Sequence, residues 1–307
     1  MDFSLSTEHR MLQESIREFL KKECPMERVR EFDENDEFPI EIFNKMKLLG
    51  LSGLTIAEEY GGMGVDIFGG IITVEELSKR FPALGWLYVM SAFYGGVNIS
   101  RNGNDKQKQE FLPKIAKGDL LFSYAITEPN VGSDAASAQT TATKCKEGFK
   151  LNGTKTLITG ADHADYVLTL TRTDEDVSKY KGLTMFIVDK RRAGIEARPL
   201  KKLGYKGSSC CEIVFDEVEL TAEDILGGAN CINNGWSQLL ATLDVEHLEV
   251  AACGVGLAQG AFDEAIKYSK KREQFGQPIG NFQALQHMLA EMATSPKISA
   301  ITIINHS

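Results

Sequence analysis

Apolar residues in the first third of the chain recur at helical spacing. Leu12, Ile16, Phe19 and Leu20 fall on one face after a Ser6/Thr7 cap, and Pro39 opens a further helix that Gly50 closes. Gly61-Gly62-Met63-Gly64 marks a loop, a helical pattern resumes over 67–80, and Asp105 is placed to cap a helix running through Phe111 toward Gly118. From about residue 121 the texture changes to short β-branched runs at 140–143, 149–151, 166–171, 183–188 and 211–215, separated by turn signals. Gly148-Phe149-Lys150-Leu151-Asn152-Gly153 reads as a hairpin cue. No long helical pattern alternates with these runs, so the segment predicts an antiparallel β domain. After Gly235, Leu239, Leu243, Val250, Cys253 and Leu257 predict one long amphipathic helix ending near Gln274-Phe275-Gly276, and a second helix from about Asn281 to Met292. Pro296 is expected to interrupt that helix, because it lacks an N–H and its ring crowds the preceding turn; the four isoleucines that follow favour extended structure or none.

The fold class expected is therefore α+β. Residues 1–120 form an N-terminal helical domain, 121–232 a central antiparallel β domain, 233–294 part of a C-terminal helical domain, and 295–307 an aberrant tail. One antiparallel helix pair covers its own apolar faces poorly, so the last domain reads as an incomplete helical bundle and the tail as the mark of a truncated or frame-shifted product.

Composition narrows the partners. With 307 residues and 43% hydrophobic content the chain can bury a sizeable core. A net charge of −9 argues against nucleic acid or an anionic membrane as the main partner, since an acidic surface repels both. The six cysteines form no C-x-x-C pair and no zinc-like spacing with histidine, and His9, His163, His287 and His306 are scattered, so reduced thiols and no metal are expected. The N-terminal stretch has no basic-then-apolar run, no segment has the apolar length of a membrane span, and a cytoplasmic protein is the expectation. No Gly-x-Ser-x-Gly elbow is present. The stretch from Gly254 to Gly260 is similar to a dinucleotide fingerprint, but its last spacing is one residue too long and no strand precedes it; close helix packing through small residues is the simpler role.

The segment richest in chemistry is Tyr124-Ala125-Ile126-Thr127-Glu128-Pro129-Asn130-Val131-Gly132-Ser133-Asp134-Ala135-Ala136-Ser137. Local propensities alone support a strand ending at Pro129 in a turn built on Gly132 and Asp134. The segment also resembles the flavin-binding signature of the acyl-CoA dehydrogenases, Thr-Glu-Pro followed by Gly-Ser-Asp. The resemblance extends in order to about Thr294 through Glu59-Tyr60-Gly61-Gly62, Leu151-Asn152-Gly153-Thr154-Lys155 with Ile158-Thr159, and Arg272-Glu273-Gln274-Phe275-Gly276 with Phe282-Gln283. Ser209-Cys210-Cys211-Glu212-Ile213 is similar, more weakly, to the branch containing crotonobetainyl-CoA reductase.

This resemblance implies an acyl-CoA dehydrogenase-like fold that binds FAD and an acyl-CoA. Tyr124, Ile126 and Thr127 would contact the flavin, Gly132 and Ser133 would turn toward the phosphates and the acyl-CoA, and Leu157, Ile158 and Thr159 would line the other side of the ring. Backbone N–H groups and a hydroxyl suit the polar edge of such a ring. Leu157 departs from the aromatic residue frequent there in the family. A homotetramer is implied in which Arg272, Gln274, Phe275 and Gln283 reach a neighbouring subunit's flavin; a guanidinium can grip a pyrophosphate in bidentate fashion, although Arg272 taken alone reads first as a solvated helix end. Electron-transfer flavoprotein is the implied redox partner.

The implied reaction removes an α-proton with a carboxylate while hydride leaves the β-carbon. The base must sit in an apolar pocket, where burial raises its pKa toward that of the activated thioester C–H. In many family members that Glu lies near the C-terminus; in a few subfamilies it lies on the long helix after the β domain, and there this chain has Glu246. The competing reading of Glu246 is an ordinary surface glutamate. Asp244 is a candidate for substrate contact, and His247 stands where the family typically has Arg, so it too falls at the substrate. Three functions stay open: an acyl-CoA dehydrogenase, the reverse enoyl-CoA reductase (including a crotonobetainyl-CoA reductase-like enzyme), and a non-catalytic remnant of either.

Overall fold

The computed structural model describes residues 4–304; residues 1–3 and 305–307, which include Asp2, His306 and the end of the expected tail, lie outside the described residues. The N-terminal part is helical: α1 (Thr7–Glu23), α2 (Met26–Asn35), α3 (Ile40–Met46), α4 (Ile67–Arg80), α5 (Pro82–Val89), α6 (Asn98–Asn102) and α7 (Asp105–Ala116). A two-stranded ribbon, β1 (Thr55–Ile56) with β2 (Gly64–Val65), carries the glycine-rich loop, and Met90–Val97 joins α5 to α6 as a π-helical segment. Ser6 caps α1 as expected, its side chain accepting from the His9 N–H. The α7 cap is a correction: Asn104 fills that position, and it forms a reciprocal capping box with Gln107 that leaves Asp105 inside the first turn. Asn104→Ala is expected to cost about 1 kcal/mol, read as a lower urea midpoint at unchanged slope.

The middle part is one seven-stranded sheet of β3 (Phe122–Ala125), β4 (Thr141–Cys145), β5 (Gly148–Thr159), β6 (Tyr166–Arg172), β7 (Leu183–Asp189), β8 (Ile195–Pro199) and β9 (Cys210–Leu220). Its order is β3-β6-β4-β5-β9-β8, with β7 also on β6. Most pairs are antiparallel, but β6 is flanked in parallel by β3 and, at the pairing of Thr141 with Arg172, by β4, so the sheet departs from the purely antiparallel expectation there, including at the strand that leads into the flavin-like signature. The Asn152-Gly153 hairpin is also corrected. The chain reverses at Lys146-Glu147, between Cys145 and Gly148, and β5 runs straight through Asn152-Gly153, where its register with β9 shifts instead. Gly153 holds φ +143° with Thr140 so close that a Cβ would sit 2.7 Å from its Oγ1; the glycine serves close strand approach rather than a turn.

The last part is α8 (Gly235–Lys271), a small hairpin of β10 (Glu273–Gln274) and β11 (Gln277–Pro278), and α9 (Gln283–Ile304). The glycines of the false fingerprint press α8 against α4: a Cβ on Gly256 would lie 2.3 Å from the Glu75 carbonyl oxygen, and one on Gly260 2.2 Å from that of Lys79. Contrary to expectation, Pro296 does not end α9. Its ring is buried, in the groove where α9 packs on α8. Just upstream the Thr294 and Ser295 hydroxyls donate to the carbonyls of Ala290 and Glu291, serving carbonyls in the turn that the proline distorts. Packing thus overrides the local preference.

The helical core draws Val245, Ala252 and Cys253 of α8 into the same cluster as Ile71, Val74 and Leu77 of α4 and Leu84, Leu87 and Tyr88 of α5. That places one face of α8 inside the molecule, between the N-terminal helices and the sheet edge at β3.

Candidate active site

Glu246 lies on the inner face of α8 and is 9% exposed, which removes the surface-glutamate reading. Its Oε1 accepts from Thr242 Oγ1 at 2.9 Å, one turn back, and from Asn98 Nδ2 on α6 at 3.3 Å. Asn98 is itself wholly buried and its Oδ1 lies 3.1 Å from the same Thr242 hydroxyl. Thr242 has a single proton to give, so Asn98 and Thr242 orient the carboxyl without neutralising it. Burial pushes the Glu246 carboxyl up to about 7, while the hydrogen bonds from Thr242 and Asn98 pull in the other direction. A carboxyl with that affinity is half-ionised near neutral pH, as a general base should be.

The edge facing Glu246 is built by β3 and the turn after it. The Tyr124 hydroxyl is buried and forms no well-aligned hydrogen bond; its acidity is suppressed first by burial and then by the charge on Glu246, which puts it over the carboxyl cluster. Ile126 and Thr127 follow, partly exposed. Their backbone is pinned from below by Lys155, whose Nζ donates to the Ile126 carbonyl at 3.0 Å and to Glu128 Oε1 at 2.9 Å. Glu128 in turn accepts from the backbone N–H groups of Gln139 and Thr140, closing the 128–140 loop on itself. Both side chains are almost fully buried. Burial lowers Lys155 to about 8; burial also opposes the Glu128 charge, but Lys155 and the two N–H groups outweigh it and hold that carboxyl below its ordinary value. In the sequence both residues stand out only as parts of motifs. A lysine between two β-branched runs carries no sign that it is buried.

Gly132 and Ser133 are exposed on that loop, and a Cβ on Gly132 would meet nothing within 4 Å. No described residue crowds that position, and the space beside it is open to solvent. Across the gap, the irregularity in β5 between Lys155 and Ile158 forces Leu157 to φ +58° and leaves its side chain 62% exposed. A β-bulge that lifts a non-glycine residue off a sheet re-aims it toward a ligand edge. Thr156 N–H bonds the Thr127 carbonyl at 2.9 Å and ties the two edges together. Ile158 points into the sheet core at 2% exposure, so only its backbone faces that gap. Thr159 lends its carbonyl to the Ser123 hydroxyl.

Asp244 and His247 are exposed and lie on other faces of α8 than Glu246, so within one subunit they are not brought to the carboxyl. Arg272, Gln274, Phe275 and Gln283 cluster far along the chain on and beside the β10–β11 hairpin, all exposed. Phe275 and Gly276 take the two positive-φ places of its turn, at +53° and +77°, and the Phe275 ring is 93% exposed. Phenylalanine in that conformation is strained, and its apolar ring gains nothing from water. An open groove of about 830 Å³ between α8 and α9 is lined by none of these residues, so size alone does not mark the site.

Comparison with known proteins gives the family and the fold. Residues 6–119 match the family description "Acyl-CoA dehydrogenase, N-terminal domain", residues 123–218 the middle domain and residues 233–304 the C-terminal domain. The chain is 37% identical over 294 residues to a probable acyl-CoA dehydrogenase of Bacillus subtilis (strain 168), covering 95% of this chain and 76% of that one. It is 35% identical over 302 residues to the caffeyl-CoA reductase-Etf complex subunit CarC of Acetobacterium woodii, covering 98% and 78%. The solved glutaryl-coenzyme A dehydrogenase complex with glutaryl-CoA superposes with a TM-score of 0.94 at 34% identity, over 100% of this chain and 77% of that one.

Proposed function

The chain belongs to the acyl-CoA dehydrogenase family, oxidoreductases acting on CH–CH bonds, and we propose that it interconverts an acyl-CoA thioester and its α,β-enoyl form with Glu246 as the base. The observation that carries the reading is a buried carboxyl held by Asn98 and Thr242 beside the β3 edge. FAD fits that edge: Gly132 has open space where a side chain would stand, Leu157 is lifted clear by the bulge, and the Thr127 and Ser133 hydroxyls make no hydrogen bond within the described residues. Bound there, FAD would supply the hydride acceptor.

The chain's own residues do the rest. Glu246 takes the α-proton as the β-hydride leaves, and the electron pair of the α C–H bond becomes the new double bond. Asn98 and Thr242 keep the carboxyl oriented before and after transfer. Lys155 and Glu128 keep Ile126 and Thr127 in place as one wall; Leu157 and the backbone of Ile158 and Thr159 form the other. Gly132 and Ser133 meet the phosphates and the thioester, whereas Asp244 and His247, exposed on other faces of α8, take no part beside Glu246. The strained Phe275 turn with Arg272, Gln274 and Gln283 reaches the flavin of a neighbouring copy in a homotetramer, which accounts for an exposed aromatic ring at positive φ. Electron-transfer flavoprotein is the redox partner; the Acetobacterium woodii relative is a subunit of a caffeyl-CoA reductase-Etf complex.

The test is spectroscopic. Purified protein reconstituted with FAD is expected to be yellow and to lose its flavin absorbance anaerobically on addition of an acyl-CoA. A protein that retains no FAD, or whose flavin no acyl-CoA of any chain length bleaches, would contradict the reading.

A further inference from the structure

One buried group is not used by that chemistry. Glu249 lies three residues after Glu246 on the same face of α8, is 0% exposed, and neither of its carboxyl oxygens has a hydrogen-bond partner among the described residues. Glu246 is the charged group that bears on it; among the described residues no Lys, Arg or His compensates it. Around it stand Tyr94 from the π-helical segment, Tyr124 from β3 and Cys253 from the next turn of α8, with the Tyr94 and Tyr124 rings 5.7 Å apart. A carboxyl taken out of water with neither oxygen bonded costs several kcal/mol, and folded proteins keep such a group only where something completes it.

Its place along α8 indicates what completes it. Three residues advance a helix by about 4.5 Å, a length that an extended acyl chain covers in about three or four carbon–carbon bonds. Glu246 addresses the α-carbon. Glu249 stands that far along the same buried face of α8, with Tyr94 and Tyr124 beside it, within reach of the carbons beyond the reacting pair.

We propose that Glu249 is a specificity-determining residue that selects acyl thioesters carrying a hydrogen-bond donor, a hydroxyl or an ammonium, several carbons beyond the reacting pair. This rests on the acyl-CoA reading above. The donor bonds the orphaned carboxyl, an aliphatic chain leaves it unsatisfied, and a chain ending in a carboxylate has to desolvate its charge where no described Lys, Arg or His compensates it. Discrimination of this kind is large because the penalty falls on a buried polar group left unpaired rather than on a small change in apolar contact.

The experiment compares hexanoyl-, 6-hydroxyhexanoyl-, 6-ammoniohexanoyl- and adipoyl-CoA on the FAD-loaded protein. Two quantities are read, kcat/KM for anaerobic flavin bleaching and the thermal shift that each thioester produces. The donor-bearing chains are expected to exceed hexanoyl-CoA by tenfold or more in kcat/KM and to give the larger shifts, with adipoyl-CoA last. Glu249→Leu should invert that order and raise the melting temperature of the free protein, since it removes a buried unpaired acid. Glu249→Gln separates the donors: it keeps the preference for hydroxyl and loses that for ammonium. Equal kcat/KM and equal shifts across the panel, unchanged in Glu249→Leu, would overturn the inference while leaving the dehydrogenase reading intact. Bleaching and shift by no member of the panel would overturn the inference, and the dehydrogenase reading falls with it only if acyl-CoAs of every other chain length also fail.

Discussion

Glu246→Gln is expected to cut anaerobic bleaching of the flavin by an acyl-CoA on the order of a thousandfold or more while leaving flavin binding in place. The loss expected from removing a positioned base is about a hundred- to ten-thousandfold, and here no other described carboxyl is held by both Asn98 and Thr242 to replace it. Glutamine keeps the acceptor that those two side chains address, so the local packing should survive. In the unsubstituted protein the bleaching rate should climb as pH rises through about 7, because only the ionised carboxyl accepts a proton and burial holds its pKa there. Stability moves in the opposite direction. The folded protein retains the Glu246 proton up to about pH 7, whereas the unfolded chain loses it near the ordinary carboxyl value, so this group's contribution is fully present below that value and declines as pH rises toward 7. Glu246→Gln should therefore raise the melting temperature at pH 8 relative to the parent and leave it nearly unchanged at pH 4. Bleaching that persists at the parental rate in Glu246→Gln would exclude it as the base, and a pH profile without an inflection near 7 would tell against the buried carboxyl.

The largest structural effect is expected from Lys155→Met. The lysine is 0% exposed and its partner Glu128 4%, so the substitution strands a carboxylate in the sheet with only the Gln139 and Thr140 N–H groups to hold it. Breaking a buried pair in this way costs about 3–5 kcal/mol, which for a chain of this size corresponds to a fall of roughly ten degrees in melting temperature. The Ile126 carbonyl loses its donor at the same moment, so the turn carrying Thr127 loosens and retention of FAD should fall with it. The double variant Lys155→Met, Glu128→Gln leaves no stranded charge and should recover most of the stability but little of the flavin affinity. Recovery of both together would mean that the pair serves the fold alone.

Some of this protein was legible from its residues one by one. Ser6, the 67–80 helix and the long run after Gly235 follow directly from capping chemistry and apolar spacing, both of which act within a few residues. Asn152-Gly153 and Pro296 misled because each is a strong local signal overruled at a distance: Thr140 crowds Gly153 into an extended strand, and α8 shelters Pro296 within a helix. Asp105 lost its expected place to Asn104 for a smaller reason, a neighbouring side chain whose partner three residues on completes a box.

The site divides along the same line. Ordered motifs brought Tyr124, Thr127, Gly132 and Glu246 into view because a resemblance carries the outcome of folding without its geometry. Their burial and partners, the orphaned Glu249, the Lys155–Glu128 anchor beneath the turn and the lifted Leu157 depend on which element packs against which. By itself the sequence determined the helix-rich ends with their longest helices, the strand-rich middle, the net negative charge and the family, since these follow from periodicity, charge and ordered short motifs. Only the tertiary structure decided which carboxyls lose their water, and with that which of them is fit to take a proton near neutral pH, because desolvation belongs to the packed neighbourhood of a side chain and not to its place along the chain.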